Sequence, residues 1–297
     1  MINVPADAEI VILTGTTAVG KTELSLTWAE ANNAEILSCD STNVYRGMDI
    51  GTAKPTAKER SRVPHFGIDL VEPTQTFSVG DYVEYAKRVV AEIRSRGKRI
   101  LVSGGSGFYL KSFFAAVTDG VPVDENLRSR VRALDEQGLA LEKLRELNPA
   151  GALKFDWQNP RRVVRALERC LATGKTIDAL REEMENRPCE FANYRRFCVL
   201  LSRERESLSQ RIALRVDQML HAGLVDEVQN LRSRGLRADS PAGSAIGYKE
   251  TLAWLDAGEP GGVPALRETI ALATRQLAAK QRKWFRNQIV PDQIVEL

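Results

Sequence analysis

The chain is short of the residues that metal centres, disulfide scaffolds and membrane spans require. It holds two histidines and four cysteines in 297 residues. Cys39, Cys170, Cys189 and Cys198 never form a C-x-x-C pair, so no zinc-ligand spacing is present. Four scattered thiols suit a reducing, cytoplasmic setting. No apolar stretch reaches the roughly 18 residues of a membrane-spanning helix. The N-terminal Met1-Ile-Asn-Val-Pro-Ala-Asp-Ala lacks the basic and apolar regions of an export signal. No repeat or low-complexity tract occurs. Net charge is small: 42 Lys and Arg against 39 Asp and Glu leave +3. Nucleic-acid binding is then open only where the basic residues cluster. What is present, 43% hydrophobic and 27% charged residues, describes a globular chain long enough for one α/β core plus an insertion.

Against this background one segment stands out. Gly15, Thr16, Thr17, Ala18, Val19, Gly20, Lys21 and Thr22 fit G-x-x-x-x-G-K-[ST]. An apolar run, Ile10 to Leu13, enters the segment as a strand, and Glu23 to Trp28 leaves it as a helix. Glycines let consecutive N–H groups turn inward around an anion, and the helix N-terminus adds partial positive charge. Lys21 supplies a point charge, and Thr22 a hydroxyl for Mg²⁺. The segment reads as a diphosphate or triphosphate cradle.

Strand-like runs at Glu9–Leu13, Glu35–Cys39, Phe66–Val71, Arg99–Ser103 and Phe197–Leu201 alternate with helical patterns. That alternation predicts an α/β fold with a parallel sheet covered by helices on both faces. Ligands bind such sheets at the carboxyl ends of the strands. The cradle, Asp40 and Gly104-Gly-Ser-Gly107 should therefore face one crevice. From about 121 to 195 strand-like runs vanish, and charged helical patterns punctuated by Pro122, Pro149, Pro160 and Pro188 take over. This predicts a helical insertion domain at 121–195, with 1–120 and 196–297 forming the core. Arg205 to Leu231 reads as one long amphipathic helix, broken or kinked near Gly223, with Leu208, Ile212, Val216 and Met219 on one stripe. A final helix runs from about Pro264 to Asn287.

Three further features carry chemistry. A P-loop NTPase usually ends a second apolar strand with an acid that helps hold Mg²⁺. Here Arg99 to Ser103 runs into Ser-Gly-Gly-Ser-Gly, and the nearest substitute, Asp69, lies inside its own run. Asp40 follows the second strand; beside the cradle it could act as a base or bind metal indirectly, and otherwise it caps a turn. Basic residues gather twice. Arg161, Arg165 and Arg169 form one helical stripe with Arg162 beside it. Arg275, Lys280, Arg282, Lys283 and Arg286 surround Trp284 and Phe285. Basic plus aromatic suits a splayed nucleotide, although any single arginine is as readily a solvated helix face. Arg211 and Arg215, one turn apart, could reach a pyrophosphate.

Taken together these segments resemble the tRNA dimethylallyltransferases (tRNA isopentenyltransferases), and the resemblance covers nearly the whole chain. It rests on Gly15–Thr22, on Asp40-Ser41 with Val44-Tyr-Arg-Gly-Met-Asp-Ile-Gly-Thr-Ala-Lys-Pro55, and on Ser103-Gly-Gly-Ser-Gly-Phe-Tyr-Leu110. It rests also on Arg161 to Glu168, Ala245 to Glu250 and Thr274 to Arg286. The resemblance implies a P-loop-type sheet with an all-helical insertion. It implies transfer of a dimethylallyl group from dimethylallyl diphosphate to N6 of the adenine 3′-adjacent to the anticodon, with Mg²⁺. Asp40 would be the base, Ser106 would hold the adenine or its amine, and Arg215 would join Gly15–Thr22 on the diphosphate. The tRNA anticodon stem-loop would meet Asp40, Ser41, Thr42, Asn43, Ser106, Arg128, Pro160, Arg161, Arg162, Val163 and Val164. It would also meet Ser244, Ala245, Ile246, Gly247, Tyr248, Lys249, Arg282, Trp284 and Arg286. Asn43 stands where the family commonly has Gln, Ser106 where it has Thr, and Ser244 where it has a larger polar residue. The zinc finger of eukaryotic relatives is not seen, so a bacterial type is expected; a monomer is expected as well. On the residues alone, an ATP-dependent nucleoside or small-molecule kinase shares the cradle and the core, and an RNA-binding P-loop module without chemistry is a third class.

Overall fold

Four apolar strands buried on both faces build the centre of the fold. The computed structural model describes residues 2–297. A six-stranded, wholly parallel sheet contains β1 (Ile10–Gly15), β2 (Ala34–Cys39), β3 (His65–Phe66), β4 (Arg99–Gly104), β5 (Arg196–Ser202) and β6 (Gln293–Glu296), in the order β3-β2-β4-β1-β5-β6. Every residue of β1 and β2 is buried, as expected where helices cover both faces. The core around β1 gathers Val11, Leu13, Leu26, Ala29, Ile36, Leu101 and Val199.

The helices begin where local chemistry favours it. After β1 comes α1 (Lys21–Ala31), and α2 spans Ala57–Arg62. Ser78 and Asp81 form a reciprocal capping box at the start of α3 (Val79–Ser95), as Thr56 and Glu59 do for α2. The short α4 (Gly107–Lys111) follows β4. After β5 come α9 (Arg205–His221), α10 (Leu224–Ser233), α11 (Tyr248–Asp256) and α12 (Gly262–Gln288). The expected break near Gly223 divides the long helical stretch into α9 and α10. Gly223, at φ 96°, separates them in a left-handed conformation that a residue with a Cβ rarely adopts.

Two strand expectations need correction. Phe66–Val71 is not a strand beyond Phe66. Gly67 and Asp69 take φ of 79° and 57°, which no extended ladder accommodates. Asp69 turns instead to pair with Lys54 at 2.7 Å and Arg60 at 2.8 Å. It does not line the cavity described below, so it is no substitute for the missing acid. The edge strand β6 was not anticipated; its four residues are too few for a periodic signal.

The chain divides into two compact units, Met1–Phe114 with Glu190–Leu297, and Ala115–Cys189. Contacts explain these limits. Phe191 stacks on Phe113 with ring centroids 4.4 Å apart, and Glu190 pairs with Lys87 at 3.1 Å, both within the first unit. Asp119 pairs with Arg169 at 3.2 Å within the second. The second unit is helical: α5 (Glu125–Glu136), α6 (Ala140–Glu146), α7 (Pro160–Thr173) and α8 (Ile177–Glu185). They enclose Val131, Leu144, Val163, Leu167, Ile177 and Leu180. Asn159 caps α7, Pro160 occupies its first turn, and Gly174 ends it at φ 69°.

Candidate active site

The carboxyl ends of β1, β2 and β4 open on one cavity of about 860 Å³, lined by Thr17, Lys21, Thr22, Asp40, Ser41, Thr42, Asn43, Gly104 to Gly107 and Arg215, among others. All of its lining lies in the first unit. β1 and β2 are not neighbours; β4 lies between them. Asp40 nevertheless faces the cradle because β4 ends in glycine. A Cβ on Gly104 would lie 2.1 Å from Cys39 O, and one on Gly105 would lie 3.0 Å from Gly15 O and 3.8 Å from Lys21 Nζ. Side chains at either position would wedge the strands apart or fill the gap across which Asp40 and Lys21 interact.

In the cradle, Lys21 Nζ folds inward and donates to Gly15 O at 2.9 Å and Thr16 O at 2.8 Å. Burial lowers its pKa to about 8, the Asp40 carboxylate opposes that shift, and the Arg215 cation adds to it. Ala18 and Gly20 take φ of 59° and 116°, which turns the loop around its own centre. Arg211 is exposed and donates to Ala18 O at 3.0 Å, outside the cavity. Arg215 is half-buried in the cavity wall, where its Nη2 donates to Thr52 O at 3.4 Å. Burial also lowers the Arg215 pKa, again opposed by Asp40. Asp40 is thus the anionic counterweight to two half-buried cations.

Asp40 both caps a turn and faces the cavity. Its Oδ1 accepts Thr42 N–H at 2.9 Å and Thr42 Oγ1–H at 2.7 Å, which fixes the carboxylate and leaves Oδ2 without a hydrogen-bond partner among the described residues. Ser106 Oγ accepts Ser41 N–H at 2.8 Å, tying the loop after β4 to the loop after β2. Asn43 is 8% exposed and lines the cavity; its Nδ2 donates to Ser38 Oγ at 3.4 Å, and its Oδ1 is buried without a partner. A buried carbonyl oxygen left unpaired is costly. At the end of β4, Ser103 Oγ is bonded to Ser25 Oγ at 2.8 Å where an NTPase would place its acid.

Apolar walls complete the cavity. Ile212, Val216 and Met219 of α9 face it with Ile270, Leu277 and Trp284 of α12, and Phe77 and Phe108 add aromatic surface. Gln281 was not singled out from the sequence, although it lies within the basic, aromatic stretch of α12. It accepts Thr17 N–H at 2.8 Å and donates to Gly105 O at 3.1 Å, bridging the cradle and the end of β4. Its spacing from Trp284, three residues on one helix face, was the available signal.

The remaining expected RNA contacts divide by exposure. Ser244, Lys249, Arg282 and Arg286 are exposed, while Ala245, Ile246 and Gly247 line the cavity. In the second unit, Arg128, Pro160, Arg161 and Arg162 are exposed and Val164 is half-buried. Arg162 faces Asp156 at 3.7 Å, Arg165 pairs with Glu168 at 2.8 Å, and Arg161 has no ion-pair partner among the described residues. Two contacts are corrected. Val163 belongs to the second unit's core, and Tyr248 is fully buried, so neither side chain reaches RNA.

Among the described residues no group of three or more acidic, cysteine or histidine side chains could hold a metal ion, and no helix is long and apolar enough to cross a membrane. Comparison with known proteins agrees with the geometry. Residues 43–288 match the IPP transferase family. A tRNA dimethylallyltransferase of Opitutus terrae is 50% identical over 95% of this chain and 90% of its own. One from Bacillus velezensis is 40% identical over 94% and 88%. The solved tRNA isopentenylpyrophosphate transferase of Bacillus halodurans is 35% identical, covers 97% of this chain and 90% of its own, and superposes with a TM-score of 0.69. A eukaryotic dimethylallyltransferase solved acting on tRNA is 25% identical over 97% and 73%, with a TM-score of 0.80.

Proposed function

Because the chain belongs to the IPP transferase family, we propose that its cavity performs dimethylallyl transfer from dimethylallyl diphosphate to N6 of the adenine 3′-adjacent to the anticodon of tRNA. The observation that carries the reading is the meeting of Asp40, Lys21 and Arg215 in one cavity. Two half-buried cations suit a departing diphosphate, and one carboxylate between strand ends suits an amine.

The amides of the 17–22 loop, Lys21 and Arg215 take the diphosphate and stabilise charge as it leaves. The adenine must leave the stack of the anticodon loop for its N6 to reach Asp40 in the cavity lining. Asn43, in the cavity lining, borders the adenine. Asp40 Oδ2 takes an N6 proton as N6 attacks the allylic C1 and the C1–O bond to diphosphate breaks. Ser106, fixed to Ser41, borders the base. The donor set also fits Mg²⁺ of one kind. Thr22 lines the cavity and its hydroxyl takes no partner among the described residues, while no carboxylate cage exists. That suits an ion which arrives on the diphosphate and keeps most of its waters. Bound there with Thr22, it would add charge neutralisation on the leaving group.

Arg128, Pro160, Arg161, Arg162 and Val164 of the second unit hold the anticodon stem-loop through its backbone, with Ser244, Lys249, Arg282 and Arg286 of the first. The test is incubation with dimethylallyl diphosphate, Mg²⁺ and unmodified tRNA without ATP. N6-dimethylallyladenosine in the tRNA digest is expected. Phosphoryl transfer from ATP, with no prenylated product, would replace this reading with the kinase.

A further inference from the structure

Glu227 lies on α10 and is not part of the cavity lining, yet its carboxylate is fully engaged. Oε2 accepts Asp49 N–H at 3.0 Å and Ile50 N–H at 2.9 Å. Oε1 accepts Gly51 N–H at 3.3 Å and the Tyr248 hydroxyl at 2.5 Å. Four donors fill the acceptor capacity of a carboxylate. Successive backbone N–H groups converging on an anion form a nest; here the anion is the protein's own side chain. The fit leaves no slack, since a Cβ on Gly51 would lie 2.4 Å from Cε2 of the Tyr248 ring. The other side of the loop is held by Lys54, whose Nζ donates to Tyr45 O at 2.8 Å and reaches Asp49 at 2.5 Å and Asp69 at 2.7 Å. Ala53 is constrained to φ 47°, a left-handed conformation unusual for a residue with a Cβ.

This loop has one visible task. Gly51, Thr52 and Ala53 line the cavity, and Thr52 O is the only hydrogen-bond partner of Arg215 among the described residues. Among the described residues no carboxylate pairs with Arg215 directly, so the carbonyl aims the guanidinium. The segment on the other side of the clasp, Ser244 to Gly247, forms a second part of the wall.

We propose that Glu227 is a positioning residue for dimethylallyl transfer: by clasping the 49–51 amides and the Tyr248 hydroxyl, it holds Thr52 O where Arg215 must be anchored to meet the diphosphate. The inference rests on the assignment of Arg215 to the diphosphate made above. Burial and the neighbouring Glu227 charge raise the Tyr248 pKa, which keeps its hydroxyl a donor.

In Glu227→Gln one acceptor oxygen becomes an NH₂ that faces N–H or O–H donors, so bonds are lost and repulsion is added without a change of size. Tyr248→Phe removes one donor and leaves the three amide bonds. The experiment measures kcat and both KM values for the wild type, Glu227→Gln, Tyr248→Phe, Arg215→Ala and the Glu227→Gln/Arg215→Ala double variant, at a temperature where circular dichroism shows each folded. Glu227→Gln is expected to raise the KM for dimethylallyl diphosphate about tenfold, with the tRNA KM within about threefold, and Tyr248→Phe to raise the donor KM by about threefold or less. In the Arg215→Ala background the same Gln substitution should move the donor KM by less than about twofold, because its effect passes through Arg215. A donor KM unchanged by Glu227→Gln, an equal rise in both backgrounds, or a fall in kcat with both KM values unchanged would overturn the proposal. If Arg215→Ala raises the donor KM and Glu227→Gln does not, the Glu227 role alone falls. If Arg215→Ala leaves the donor KM unchanged, the assignment of Arg215 falls and takes the Glu227 role with it.

Discussion

Raising the pH should weaken the donor's hold on the cradle while strengthening the free fold. Both effects trace to Lys21. Its Nζ is turned inward onto Gly15 O and Thr16 O, and burial brings its pKa from 10.5 to about 8. A diphosphate bound against Nζ favours the charged form, so the bound enzyme keeps the proton to higher pH. Between about pH 7 and about pH 9.5, the protonated fraction of the free enzyme falls from about nine-tenths to about one-thirtieth, a loss of roughly thirtyfold in donor affinity. Stability moves the other way. In the window from about 8 to 10.5 the unfolded chain binds a proton that the folded chain does not, so stability from this group rises with pH there. Isothermal titration with dimethylallyl diphosphate across that range measures the first effect, and proton uptake in buffers of different ionisation enthalpy checks its origin. Lys21→Met should bind donor weakly at every pH and lose the step. Flat wild-type affinity from pH 7 to 9.5, or the same step in Lys21→Met, would refute the reasoning.

Asp40→Ala should lower kcat by roughly 10²–10⁴-fold with tRNA binding by filter assay retained, because the proton acceptor is lost together with two bonds inside the turn to Thr42. Gly104→Ala should lower the melting temperature and the yield of folded protein, since its Cβ would lie 2.1 Å from Cys39 O across the β2–β4 pair; thermal denaturation reads this. Leu167→Ala, in the second unit's core, should cost about 2–5 kcal/mol in chemical denaturation. Replacing Arg161 and Arg162 together by Ala should weaken tRNA binding and reduce the slope of log affinity against log salt by about 1–2, the mark of lost phosphate contacts.

The parts of the site that were legible in the sequence are those whose chemistry is local. Gly15 to Thr22 carries its own spacing, and the apolar run into it marks β1. The amphipathic stripe Ile212, Val216 and Met219 identified a buried helix face, which proves to be a cavity wall. Asp40 was legible as a polar residue ending a buried strand, but not its route to the cradle. That depends on β4 lying between β1 and β2 and on glycines at its end, a nonlocal fact. The run at Phe66–Val71 misled because apolar content outweighed Gly67 and Asp69, whose backbone turns to serve Lys54 and Arg60. The motif of Tyr248 lies at the cavity and suggests an RNA contact, whereas its hydroxyl partner, Glu227, lies on another helix. Glu227 itself has no sequence signature, because its donors come from residues 49–51 and 248.

The central claim is that Gly15–Thr22 holds the diphosphate of a prenyl donor and that Asp40 faces its C1. The most direct measurement is a crystal structure of the enzyme with Mg²⁺ and a thiolo analogue of dimethylallyl diphosphate that resists cleavage. The account predicts the diphosphate on the 17–22 amides, Lys21 and Arg215, with the allylic C1 directed at the space beside Asp40 Oδ2. A diphosphate bound away from the cradle, or an allyl group pointing away from Asp40, would contradict it.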